Sequence, residues 1–154
     1  MPHMHAALSP RQPVLVSACL LGLCTRFDGR HCRRDDVVAA CRRLAAVPVC
    51  PEQLGGLATP RPPAEIEHGS GEDVLAGSAR VVNDRGECVT SHFLHGAQAV
   101  AEVARLLDIR RAILKEGSPS CGVARIKRAD RDVRGEGVTA ALLRRMGVNV
   151  DGVE

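Results

Sequence analysis

Aromatic side chains are almost missing from this chain: its 154 residues include two Phe and neither Trp nor Tyr. A platform for single-stranded nucleic acid stacks bases on aromatic rings, so this scarcity argues against that class of function. Long apolar runs are missing too. No stretch of about 18 apolar residues occurs, so the sequence offers no membrane-spanning helix. The opening MPHMHAALSPRQP has neither an apolar core nor a small-residue cleavage site, which sets aside a secretory signal. Residues 1–12 read as a disordered arm, with His3 and His5 as solvated tail rather than metal ligands. Charge of one sign is in small excess, since 21 Lys and Arg stand against 18 Asp and Glu for a formal +3. That balance permits an anionic ligand without requiring DNA or RNA. A C-x-x-C zinc knuckle, an internal repeat and a low-complexity tract are all lacking.

What is present is aliphatic. Hydrophobic residues make up 45% of the chain and must be Val, Leu, Ile and Ala for the most part. Such a composition suits parallel strands buried under helices. The length fits one domain, expected over residues 13–154. Seven cysteines, an odd number without a signal, fit a reducing compartment and hence the cytoplasm.

Short apolar runs alternate with helical periodicity. PVLVSAC (13–19) reads as a first buried strand, and residues 35–46 place Val37, Val38, Cys41 and Leu44 at helical spacing behind Asp35 and Asp36, which can cap the helix and complement its dipole. VPVC (47–50) is a second strand, followed by an excursion dense in Pro and Gly (51–72) that reads as irregular. Residues 78–90 look like a small β-hairpin turning near Asn83 to Gly86. The longest helix spans 91–108, with Phe93, Ala97, Val100, Ala104 and Leu107 on one face. A third strand (110–116), a helix (135–147) and a closing strand (148–153) complete an α/β chain with a parallel sheet.

Three cysteines share a position that the other four do not. Cys19 follows VLVSA, Cys50 ends VPV, and Cys121 sits in KEGSPSCG just beyond RAIL. In an open parallel sheet the carboxyl ends of the strands share one edge, where such folds bind ligands. One cysteine there is ordinarily a packed thiol; three at equivalent ends point to a site. Its occupant is either zinc with three protein ligands and an open position, or a cubane iron–sulfur cluster with one iron lacking a protein ligand. An open metal position is a Lewis acid.

Cys41 reads as core, Cys88 and Cys32 as incidental, and Cys24 as a fourth ligand, a sulfur acceptor or a spare thiol. Glu52, two residues past Cys50, is the favoured acid–base group; Lys115 and Glu116 fit a direct role or a salt bridge equally. Ser118 and Ser120 offer hydroxyl donors, or simply build a turn. Ser17 and, in RFDG, Arg26 and Asp28 are candidate substrate contacts, while Gly135 and Gly137 ahead of a helix are a weak anion signal.

SACLLG with RFDG, VPVCPEQLGGLATPRPPAEI, ILKEGSPSCG and GEGVTAALL, in that order, resemble the 2-thiouracil desulfidase family over roughly residues 13–150. The resemblance implies a single-domain Rossmann-like fold with an oxygen-sensitive 4Fe-4S cluster held by Cys19, Cys50 and Cys121. It implies that Glu52 activates a water and that Ser118 acts beside it, so that 2-thiouracil becomes uracil and hydrosulfide without an external electron donor. The implied partner is a small thiolated pyrimidine; thiouridine in nucleosides or tRNA is an alternative, with tRNA disfavoured by the weak charge and few aromatics. A non-catalytic metal-binding module is the competing reading from another class. The chain departs from the family pattern at Cys88, where relatives often carry an acidic residue, and at the RHC that follows RFDG.

Overall fold

The computed structural model describes residues 10–154; residues 1–9, with most of the expected arm and both His3 and His5, lie outside the described residues. The central sheet has the order β2-β1-β5-β8, built from β1 (Pro13–Ser17), β2 (Ala45–Val49), β5 (Arg111–Lys115) and β8 (Asn149–Val153). All three pairings are parallel, with Leu15 opposite both Val47 and Ala112. The aliphatic runs explain this arrangement, because a strand covered on both faces needs apolar residues at successive positions. Val14, Leu15 and Val16 have no solvent exposure at all.

Alternate residues of each strand feed opposite layers. Val14, Val16 and Ile113 pack with Val37 and Cys41 of helix α1 (Asp35–Cys41). Leu15, Ala112 and Leu114 pack instead with Val100 and Ala104 of α4 (Thr90–Leu106) and with Ala140 and Leu143 of α5 (Val138–Arg145). The expected fold is therefore present: α/β, a Rossmann-like parallel sheet with flanking helices. Connections from β1 and β5 leave toward opposite sides of the sheet, which opens a crevice between their carboxyl ends.

Several local expectations are corrected. β1 stops at Ser17, and Cys19 lies in the 3-10 turn Ala18–Leu21 rather than on the strand. Asp35 and Asp36 complement the helix dipole as expected, but from the first turn of α1, the cap position being Arg34. The turn at Asn83–Gly86 forms, but its return arm is tied by a single bridge, Val82 to Cys88. The full partner of β4 (Val81–Asn83) is β3 (Ala64–Ile66), from the excursion expected to be irregular.

That excursion also holds α2 (Pro51–Leu54) and α3 (Gly71–Leu75). Pro51 suits the first position of α2, where a missing N–H costs nothing. A further hairpin, β6 (Arg125–Arg128) and β7 (Arg131–Arg134), follows the Cys121 turn; its tip residues Ala129 and Asp130 have positive φ without a glycine to announce them.

Backbone contact places α2. A Cβ on Gly55 would lie 2.0 Å from the His92 carbonyl oxygen, and one on Gly96 would lie 2.0 Å from that of Pro51. Only glycines allow α2 to lie this close to α4, and the contact fixes the segment that carries Cys50 and Glu52. Among the described residues, no helix is long and apolar enough to cross a membrane.

Candidate active site

The carboxyl ends of β1, β2 and β5 meet at one place. Ser17 pairs with Val49, and the Lys115 N–H donates to Ser17 Oγ at 3.0 Å. Cys19, Cys50 and Cys121 extend from these three ends, and all three line one cavity of about 510 Å3. Glu52, Ser17, Ser118, Arg26, Phe27 and Arg61 line it as well.

The loop carrying Cys121 is held from both sides. Glu116, buried at the end of β5, accepts N–H bonds from Val123 (2.9 Å), Ala124 (2.9 Å) and Arg125 (3.0 Å). A carboxylate that closes a turn in this way explains why a glutamate directly follows the strand. On the far side, the amides of Val138 and Thr139 at the start of α5 donate to the carbonyls of Pro119 and Ser120, both at 2.9 Å. The weak anion signal at Gly135 and Gly137 is thus corrected, because those helix amides are already taken. Gly137 is needed for the approach, since a Cβ there would lie 2.4 Å from the Ser120 carbonyl carbon.

Ser118 Oγ accepts the N–H groups of Ser120 and Cys121, each at 3.1 Å, and lies 3.0 Å from Ser120 Oγ. Ser120 is fully buried, and its hydroxyl donates to Glu52 Oε1. An ionised carboxylate only accepts, so the proton order runs from Ser118 to Ser120 to Glu52. Two hydroxyls therefore fix the carboxylate's orientation. The other oxygen, Oε2, faces Arg61 Nη2 at 3.4 Å.

Electrostatics ties these groups together. Burial pushes the Cys121 thiol up to about 12, Glu52 adds to the shift, and the Ser17 and Ser120 hydroxyls oppose it. Cys19 is raised by burial and then by its neighbour Cys32, with Cys121 and Glu52 contributing. Cys50 is raised by burial and by Glu52, against donation from the Gln53 and Glu52 N–H groups and the charge of Arg61. One carboxylate acts on all three sulfurs.

The donor set fits an iron–sulfur cluster. Three thiols reach the cavity from separate directions, and hydroxyl, amide and guanidinium donors surround them, as sulfur ligands with negative charge require. Among the described residues, no three His, Cys, Asp or Glu side chains gather closely enough to share one metal ion. That spacing suits a multi-iron group, in which each thiolate binds a different iron, better than a mononuclear zinc site.

Other candidates stand differently. Arg26 lies at the cavity with its guanidinium 5.7 Å from the Phe27 ring centre. Asp28 is outside the lining; its carboxylate accepts the Arg30 N–H at 3.0 Å and serves its own turn. Cys24 is exposed and also outside the lining, whereas Cys41 is in the core on the inner face of α1. Arg61 went unnoticed in the sequence; a charged residue set between Pro60 and Pro62 in an otherwise apolar stretch was the available signal.

Cys88 is exposed, and a hydrogen bond from Thr90 lowers its thiol below the ordinary range. Thiolate fraction and access set alkylation rates. Limited treatment of the metal-free protein with iodoacetamide at about pH 7 is therefore expected to label Cys88 ahead of Cys19, Cys50 and Cys121, as read by peptide mass spectrometry.

A family model described as 2-thiouracil desulfurase matches residues 14–153. An uncharacterised protein of Bacillus subtilis (strain 168), YbbK, is 43% identical over 140 residues, covering 89% of this chain and 93% of its own. The solved structure of a [4Fe-4S]-dependent thiouracil desulfidase, TudS, superposes with a TM-score of 0.78 at 41% identity, over 92% of this chain and 91% of that one. This chain belongs to the 2-thiouracil desulfurase family.

Proposed function

We propose that this protein is an enzyme that removes sulfur from a thiolated pyrimidine, converting 2-thiouracil to uracil and hydrosulfide, with a 4Fe-4S cluster held by Cys19, Cys50 and Cys121. The observation that carries the reading is the convergence of three thiols and one carboxylate, from separate strand ends, on one cavity. When bound, such a cluster supplies an iron without a protein ligand, a Lewis acid suited to a soft thiocarbonyl sulfur.

The chain's own groups do the remaining work. Glu52 accepts a proton from water as that water attacks the ring carbon, and the Ser118–Ser120 hydroxyl pair holds the carboxylate in place for it. Ser17 Oγ accepts the Lys115 N–H, and its hydroxyl opposes the rise of the Cys121 thiol, so it shapes the sulfur's surroundings. Arg26 and Phe27 form the wall that an incoming ring would meet. Water supplies the oxygen and the sulfur leaves at the same oxidation level, so no electron donor enters the balance. A small base or nucleoside fits this recessed cavity better than thiolated tRNA does, since the surface offers neither strong positive charge nor stacking rings.

Anaerobic purification or reconstitution, followed by iron and sulfide analysis and a 2-thiouracil assay, tests the proposal. About four irons and four sulfides per chain, a brown protein and release of uracil are expected. A colourless protein with one equivalent of zinc and no turnover of 2-thiouracil or 4-thiouridine would return the site to a metal-binding module.

A further inference from the structure

We propose that Arg61 is a positioning residue that holds the Glu52 carboxylate and the Cys50 sulfur in fixed relation through one guanidinium. The inference rests on the desulfuration reading above and extends it to a group outside the expected ligand and base set.

Arg61 is nearly buried, with 6% of its side chain exposed. Its Nη2 faces three acceptors: the Thr25 carbonyl at 2.9 Å, Glu52 Oε2 at 3.4 Å and Cys50 Sγ at 3.8 Å. Nη1 donates to Thr59 Oγ1 at 2.9 Å and to the Ala58 carbonyl at 3.3 Å. Its backbone N–H reaches the Phe27 carbonyl at 2.8 Å. The planar head is thus held on both sides, and the fork geometry of arginine is what meets acceptors in several directions.

The need for it follows from charge. A cysteine ligand is deprotonated, so loading the site creates a second negative charge two residues from Glu52. Thiolate and carboxylate repel each other in a buried setting, and Arg61 is the cation that touches both. The same contact with Thr25 ties this pair to the loop that carries Arg26 and Phe27 into the cavity.

Arg61→Gln, Arg61→Lys and the double variant with Glu52→Gln test the assignment in cluster-loaded protein, by anaerobic kinetics and by potentiometric titration of the cluster. Arg61→Gln is expected to lower kcat by about 10–100-fold with a much smaller change in KM, the range typical for groups that orient ligands. It is also expected to move the cluster potential negative, because a cation beside a ligand sulfur has gone. Combined with Glu52→Gln, it is expected to cause no further loss of kcat while the negative shift in potential persists. Arg61→Lys is expected to restore most of the potential but little of kcat, since an ammonium is a single point charge. Wild-type kcat and potential in Arg61→Gln, or losses that multiply in the double variant, would overturn the proposal. Should Arg61→Gln fail to fold, full kcat in Arg61→Lys would overturn it equally. Wild-type protein that holds no cluster or leaves thiouracil untouched would sink the functional reading itself, a result distinct from an active wild type with indifferent Arg61 variants.

Discussion

Replacing Glu52 with Gln is expected to leave a brown, cluster-bearing protein whose turnover of 2-thiouracil falls by about 10²–10⁴-fold, the usual contribution of a positioned acid–base group. The three sulfurs are untouched by the change, so iron content should match the wild type. Glu52 is singled out because the other two glutamates at the cavity are committed. Glu116 is bound to three amides, and Glu65 accepts the Ala129 N–H at 3.0 Å. Glu52 alone among them acts on all three cavity thiols. An amide in its place keeps the shape and an acceptor for Ser120, but cannot take a proton from water at neutral pH. Single-turnover measurement with parallel iron analysis separates the two effects. Unchanged turnover in a loaded Glu52→Gln protein would place the base elsewhere.

The parts of the site that were legible in the sequence are those set by the sheet. Val14–Val16, Val47 and Ala112–Leu114 announce buried parallel strands, and parallel strands bring their carboxyl ends together whatever the loops do. Cys19, Cys50 and Cys121 could therefore be placed side by side although Cys19 is in a 3-10 turn rather than on β1. Parts that depend on how loops fold back were not legible. Arg61 reaches Cys50 and Glu52 only because residues 51–63 turn around α2, which itself requires the Gly55 and Gly96 contact with α4. RFDG in the first loop offers Asp28 as a ligand contact, yet its carboxylate accepts the Arg30 N–H and pairs with Arg26 at 3.6 Å, the commonest kind of duty for Asp in a turn. β3 is three residues long and β7 carries a single partly buried apolar residue, Val133, too little pattern for periodicity to detect.

Glu116 makes the opposite prediction to Glu52, although both are glutamates beside cysteines of the proposed ligand set. Glu116→Ala removes the acceptor for the Val123, Ala124 and Arg125 amides, and hydrogen bonds to a charged group contribute about 1.5–3 kcal/mol each. Solvent can reach part of this loop, so a net loss of about 3 kcal/mol in unfolding free energy is expected rather than the full sum. Glu116→Gln offers a sharper version. Both carboxylate oxygens accept backbone N–H groups, so an amide must point its own N–H groups at one of these donors and leave it unmatched. The Cys121 loop then loses its tie to β5 while its tie to α5 remains, and the Cys121 sulfur no longer keeps its place relative to Cys19 and Cys50. Chemical denaturation of the metal-free Gln variant should show a clear loss of stability, and reconstitution should give well below the wild-type iron content. Turnover per bound cluster, by contrast, should fall much less than in Glu52→Gln, because the base itself is intact. A Glu116→Gln protein with normal stability and a full cluster but no activity would reverse the two assignments and make Glu116, not Glu52, the group that meets the substrate.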